Sequence, residues 1–251
     1  MTVGAGRTRP SVIRFDRDAT LGPLPPIPAE EVLSGSPVQR GRAWIEEPSL
    51  GLEAGVWACT PQISTWMDYP VNEFMLVLEG EITIVEADRE TTFGPGDAFV
   101  LPKGLSCQWR QESDVRKFYV IFDDGSGAVN PGPLHAIRVD PAIALDPSTP
   151  PGPDVLVSGT PVQATHEWFV DATGQFAVGV WATTAYHRRA VPSARYELMH
   201  IIRGETVIAD ADGQGETFRA GETLLVPLGA EASWHGEGDL RKIYCLFQPA
   251  G

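Results

Sequence analysis

Apolar residues in this chain come in short blocks separated by glycine, proline and charged turns. Phe74 to Leu78 and Ile82 to Val85 flank Glu79-Gly80-Glu81, the spacing of two strands around a tight turn, and Gly94-Pro95-Gly96-Asp97 precedes a further strand at Ala98 to Leu101. Phe74 to Leu78 is apolar at successive positions, so both faces of that strand are expected to be buried, one lining a barrel and the other meeting a second layer. Alternation puts Glu73, Met75 and Val77 on one face. Cys107, Trp109 and Gln111 share a face of a later strand, as do Lys117 and Tyr119. The 22 prolines and 26 glycines are spread along the chain, which suits many short strands and excludes long helices.

The pattern occurs twice. A shift of 124 positions superposes Val56-Trp57-Ala58 on Val180-Trp181-Ala182, and the same shift pairs Ile13-Arg14 with Ile137-Arg138, Trp44 with Trp168, and Glu73 with Glu197. One inserted residue then makes the shift 125, pairing Gly96 with Gly221, Trp109 with Trp234, Arg116-Lys117 with Arg241-Lys242, and Tyr119 with Tyr244. Both copies therefore share one fold. The expected domains are 1–125, with an extended N-terminal arm, and 126–251, joined through the Gly, Asp and Pro-rich stretch from Asp123 to Pro133. Arg17 to Pro28 and Pro141 to Pro153 lack periodicity and read as extended arms without chemistry.

Charge and cysteine content narrow the function classes. A net charge of −14 repels phosphate backbones and anionic lipid, so nucleic acid and membrane are not expected partners. There is no long apolar run and no signal-like N-terminus, which predicts a soluble, cytoplasmic protein. Three cysteines without CxxC spacing argue against a disulfide framework or structural zinc.

Two motifs give the chain a resemblance to the cupin superfamily over roughly Val12 to Phe122 and Ala136 to Phe247. A glutamate precedes a glycine at Glu73/Gly80 and Glu197/Gly204, and a second glycine, proline, glycine series follows at Gly96, Pro102, Gly104 and at Gly221, Pro227, Gly229. The phrases FGPGDAFVLPKGLSCQW and VRKFYVIF are similar to the cupin-3 branch, which includes ethanolamine-utilisation-type cupins and relatives of ureidoglycine aminohydrolase. The resemblance implies two tandem jelly-roll β-barrels, a bicupin, with small-molecule sites inside. Cupins host many activities, so it does not name one. A duplicated chain can place both halves of a cupin pair in one polypeptide, giving a pseudo-twofold monomer, and a homodimer is the other expectation.

Metal-binding cupins carry histidines before the motif glutamate and after the second-motif glycine, and this chain departs from that pattern. The first copy has Trp66-Met67-Asp68-Tyr69 and Cys107 at those positions; the second has Ala190-Val191-Pro192-Ser193 and Ala232. A lone carboxylate is a poor ligand set for zinc, manganese or iron, so no metal is expected. The lesser readings are a mixed site of Glu73, Cys107 and Asp68, or His187 folded beside Glu197. His200 is expected to point away from Glu197 as a hydrogen-bonded histidine between layers, and His135, His166 and His235 to be solvated.

A carboxylate inside an apolar barrel must be paired, hydrogen-bonded or protonated, and Lys117 or Tyr119 is the expected partner of Glu73. Glu73, Lys117 and Tyr119 are the candidate catalytic set for proton transfer; they serve equally to orient a polar ligand or to close a buried polar network. Trp57, Cys107 and Trp109 complete the first candidate site, and Trp181, Glu197, Trp234, Lys242 and Tyr244 the second. The tryptophans are core filler or aromatic walls. The expected role is binding of a small polar metabolite within the barrels. The alternative is a metal-dependent hydrolase or isomerase of the ureidoglycine aminohydrolase-like type, acting on a small nitrogenous or hydroxy-acid substrate with its metal at Glu197.

Overall fold

A computed structural model describes residues 10–210 and 213–250. It is built almost wholly of strands, with two single-turn 3-10 helices at Ala29–Glu31 and Pro48–Leu50. Each copy forms two sheets. In the first, a seven-stranded sheet has the order Ile137–Val139, Ala98–Leu101, Asn72–Glu79, Val115–Phe122, Leu52–Cys59, Gln39–Glu47, Gly22–Pro23. Its six-stranded counterpart runs Glu90–Phe93, Ile82–Val85, Ser106–Gln111, Gln62–Ser64, Val32–Gly35, with Met67–Asp68 added beside Ser106 and Cys107. The second copy repeats this with seven strands and five.

The predicted double burial holds: Glu73 through Val77 are all buried. Met75, Val77 and Phe99 from the larger sheet meet Ile82, Ile84, Phe93 and Trp109 from the smaller one in one apolar cluster, so the core lies between the sheets. Phe93 and Phe99 stack with centroids 3.9 Å apart at its heart. Ile201, Ile208, Phe218 and Leu224 do the same in the second copy. The motif glycines have a steric cause. Gly80 and Gly204 take φ of 76° and 86°, and a Cβ there would stand 2.1 Å from Asp114 O and 2.2 Å from Asp239 O.

The division of the chain into compact units is not the division into repeats. One unit comprises 15–144, His166–Val180 and 245–250; the other comprises 10–14, Leu145–Thr165 and Trp181–Tyr244. Each short strand that begins a repeat is thus taken up by the other repeat's sheet. Ile137–Val139 pairs antiparallel with Ala98–Val100, and Ile13–Phe15 lies beside Thr223–Val226. Equivalent arginines fasten both. Arg138 reaches Asp97 at 2.5 Å and covers the Phe93 ring at 4.5 Å; Arg14 reaches Glu222 at 2.6 Å and covers Phe218 at 4.3 Å.

The first arm is not remote from the first copy's cavity: Leu24, Ile27 and Pro28 line it with apolar surface. Leu24 is held there by its N–H bond to Gln39 O, 3.2 Å.

Candidate functional site

In the first copy, Asn72–Glu79 and Val115–Phe122 run antiparallel with Lys117 opposite Val77 and Ile121 opposite Glu73, which puts Glu73, Met75 and Lys117 on one face. Lys117 Nζ donates to Glu73 Oε1 at 2.7 Å and lies 3.0 Å from Met75 Sδ. Both side chains of the pair are 6% exposed. The ammonium also sits 4.9 Å from the centroids of Trp57 and Trp109, whose rings meet edge to face at 6.0 Å. The second carboxylate oxygen of Glu73 accepts from the Tyr69 hydroxyl. Tyr119 bonds instead to Glu53, across from Gly55, where a side chain would crowd its hydroxyl. Burial, then the neighbouring glutamates, push both phenols up, so Tyr69 and Tyr119 stay protonated donors. These groups border a cavity of about 400 Å³, walled by Trp57 and Trp109 and by Leu24, Ile27, Met67 and Ile121.

The second copy repeats the centre and changes the surroundings. Lys242 Nζ donates to Glu197 Oε1 at 2.6 Å, lies 2.9 Å from Met199 Sδ, and covers Trp181 and Trp234 at 4.7 and 5.4 Å. The indoles again meet edge to face at 6.0 Å. In place of a tyrosine, Arg195 Nη2 stands 3.7 Å from Glu197 Oε2. Burial alone would raise the Glu197 pKa, but Lys242, Arg195 and Arg188 outweigh it and hold the carboxylate below its usual range. Lys242 is lowered by burial, with Arg195 and Arg188 adding to the effect against the pull of Glu197. Tyr244 lies 3.4 Å from the Thr165 hydroxyl.

The model of the EutQ-like cupin domain family matches the chain twice, over residues 46–119 and 170–244. The chain belongs to that family. It is a bicupin of the cupin-3 branch. Among solved structures, a DUF861-family protein of unknown function from Pseudomonas syringae pv. tomato is 24% identical, covers 95% of this chain and 100% of its own, and superposes with a TM-score of 0.80. A cupin 2 conserved barrel domain protein from Leptotrichia buccalis (9% identity, 87% of this chain and 98% of its own, TM-score 0.58) and the DUF861 protein Ylba from E. coli (10%, 99% and 96%, TM-score 0.55) share the fold. No curated protein matches by sequence.

The bicupin's two central carboxylates do not fit a transition metal. In each copy an ammonium held by carboxylate, thioether and two indole faces sits against the motif glutamate, and no imidazole joins it. His187 instead packs on His235, ring centroids 4.9 Å apart and opposite one another across a strand pair. Glu86, Asp88 and His135 have ligand atoms within 4.8 Å of one another, but there His135 Nδ1 and the Ala136 N–H already occupy both Glu86 oxygens at 2.8 and 2.9 Å, and Arg89 lies 3.9 Å away.

Several other expectations meet a different geometry. Of the two expected partners of Glu73, Lys117 takes the role; Tyr119 binds Glu53 instead, and Tyr69 supplies the second bond to Glu73. The one available signal was the difference between copies, since Tyr69 and Glu53 align with Ser193 and Ala177 in otherwise matched strands. Cys107 is buried in the apolar cluster and is not among the cavity-lining residues. Burial, then Glu86 and Asp68, push its thiol up to about 12, which makes it a poor nucleophile or ligand. His135 is not simply solvated, because it binds the buried Glu86, and His166 packs edge to face on Trp168 at 4.9 Å. His200 bonds the hydroxyl of Thr223, its cross-strand neighbour in the same sheet, at 2.8 Å.

Proposed function

We propose that the first cupin barrel binds a small polar organic molecule, oriented by Tyr69, Tyr119 and the Glu73–Lys117 pair and sandwiched by apolar contact with Trp57, Met67 and Ile27. The observation that carries this reading is convergence: polar side chains, among them the almost fully buried Glu73 and Lys117, meet indole and aliphatic walls at one cavity of about 400 Å³. Cavities of roughly 300–1,000 Å³ with few polar groups among aromatic walls are the usual form of a small-molecule site. Tyr69 and Tyr119 each donate their one proton to a carboxylate, which holds the phenol oxygens in fixed positions as acceptors for a ligand hydroxyl or amine. Glu73, Lys117 and Tyr119 are also the groups placed to exchange a proton with it.

Binding of a metabolite panel, followed by thermal unfolding and by tryptophan fluorescence, tests the reading. A ligand present at about 100 times its Kd adds about 2.7 kcal/mol to stability. That gain is expected to vanish in Met67→Trp, which fills the cavity mouth, and to shrink in Tyr119→Phe. A ligand that binds both variants as tightly as the natural chain would place its site elsewhere and end the proposal.

A further inference from the structure

The second copy differs from the first in the charge that surrounds its central pair. Three cationic side chains, Lys242, Arg195 and Arg188, act on Glu197, which neutralises one of them. Lys242 takes Glu197 Oε1 at 2.6 Å, whereas Arg195 stands off Oε2 at 3.7 Å, too far for a good hydrogen bond. Arg188 Nη1 donates to the carbonyl of Ala232 at 3.1 Å. That carbonyl is neutral and does not offset its charge. The positions equivalent to Arg188 and Arg195 in the first copy are Ser64 and Val71.

Solvent reaches this cluster. The Glu197 side chain is 17% exposed and that of Arg195 44%, against 6% for Glu73 in the first copy. Arg188 is fixed in direction, because its strand Tyr186–Pro192 pairs with Glu231–Gly236 and sets it opposite Trp234. Guanidinium forks beside an indole wall suit a planar oxyanion carried on a small organic body. In a chain of net charge −14, Arg195 beside the already paired Glu197 and Arg188 opposite Trp234 make a local concentration of positive charge suited to an anion.

We infer that the second barrel binds a small oxyanion-bearing metabolite, a carboxylate or phosphate, between Arg188 and Arg195 beside the Glu197–Lys242 pair. The site is separate from the first-copy cavity, and its ligand is of a different class. The experiment is calorimetric titration of the intact protein with malonate, succinate and inorganic phosphate, against chloride at matched ionic strength. Saturable binding of at least one oxyanion is expected, about tenfold weaker in Arg188→Gln or Arg195→Gln and lost in the double variant. Circular dichroism and the unfolding midpoint of each variant verify that it folds. Tyr119→Phe is expected to leave oxyanion binding untouched, which separates this site from the first. Malonate without phosphate, or the reverse, assigns the headgroup. No saturable binding beyond chloride, or binding undiminished in the double variant, overturns the inference.

Discussion

The two barrels share a core and part company at its edge. Each encloses the same four-sided seat for a lysine: a carboxylate, a methionine sulfur and two indoles set edge to face. Around that seat the first copy adds tyrosines and Glu53, and the second adds arginines. The seat is what folding requires, since a buried carboxylate without a cation would cost several kcal/mol. The surroundings are free to differ, because the lysine seat is complete without them. Duplication has thus kept one electrostatic solution and placed different polar groups around it.

The largest expected difference between the copies concerns the seat itself. Lys117→Met leaves Glu73 buried with only a tyrosine donor and is expected to cost about 3–5 kcal/mol in chemical denaturation. Lys242→Met is expected to cost less, about 1.5–3 kcal/mol, because Arg195 and Arg188 remain beside Glu197. Equal losses would mean that the arginines do not act on the carboxylate. In the double variant Glu73→Gln with Lys117→Met, most of the first loss should return.

A smaller effect tests an asymmetry in the indoles. Trp109 Nε1 donates to Gln111 Oε1 at 2.8 Å, while Trp234 Nε1 is buried without a partner, because Gly236 stands where the first copy has Gln111. Gln111→Ala should therefore cost about 1–3 kcal/mol, by orphaning both the indole N–H and the carbonyls of Cys59 and Thr60 that Gln111 serves.

Acid should weaken the second copy through a residue the first lacks. Burial lowers the His200 pKa from 6.5 to about 4, and its counterpart is Leu76. The unfolded chain takes up the proton first, so the neutral histidine's contribution is complete above about pH 6.5 and is lost as the pH falls towards 4. Unfolding of His200→Leu between those values should show a pH dependence shallower by roughly 1–2 kcal/mol. An unchanged slope would remove His200 as the cause. Tyr119→Phe removes a buried hydroxyl that donates to the exposed Glu53 carboxylate and is expected to cost about 1–2 kcal/mol, so its binding is read against the variant's own unfolding midpoint.

Part of this was legible in the residues. Glu73 and Lys117 were placed together from strand alternation and from the cost of a bare buried charge, and the repeat carried that pairing to Glu197 and Lys242. Tyr69, Arg188 and Arg195 were not found, because each lies on a turn or in the smaller sheet, whose approach to the centre depends on how one sheet faces the other; Glu53 was missed because its place beside Tyr119 depends on which strand pairs with Val115–Phe122. That Leu24, Ile27 and Pro28 of the arm line the cavity was not legible either, because an aperiodic segment gives no signal of the surface it will cover.

The chain's own order of residues determined the all-β class, the doubled barrel, the cupin relationship and the glycine turns, since these rest on local steric demands and on periodicities that repeat along the chain. Tertiary structure alone decided that each leading strand joins the other repeat's sheet, that tyrosine satisfies one carboxylate and arginine attends the other, and that Cys107 sinks into the core. Those outcomes depend on contacts between segments far apart in sequence. No local pattern encodes them, because their energies exist only once both partners have been brought to the same place.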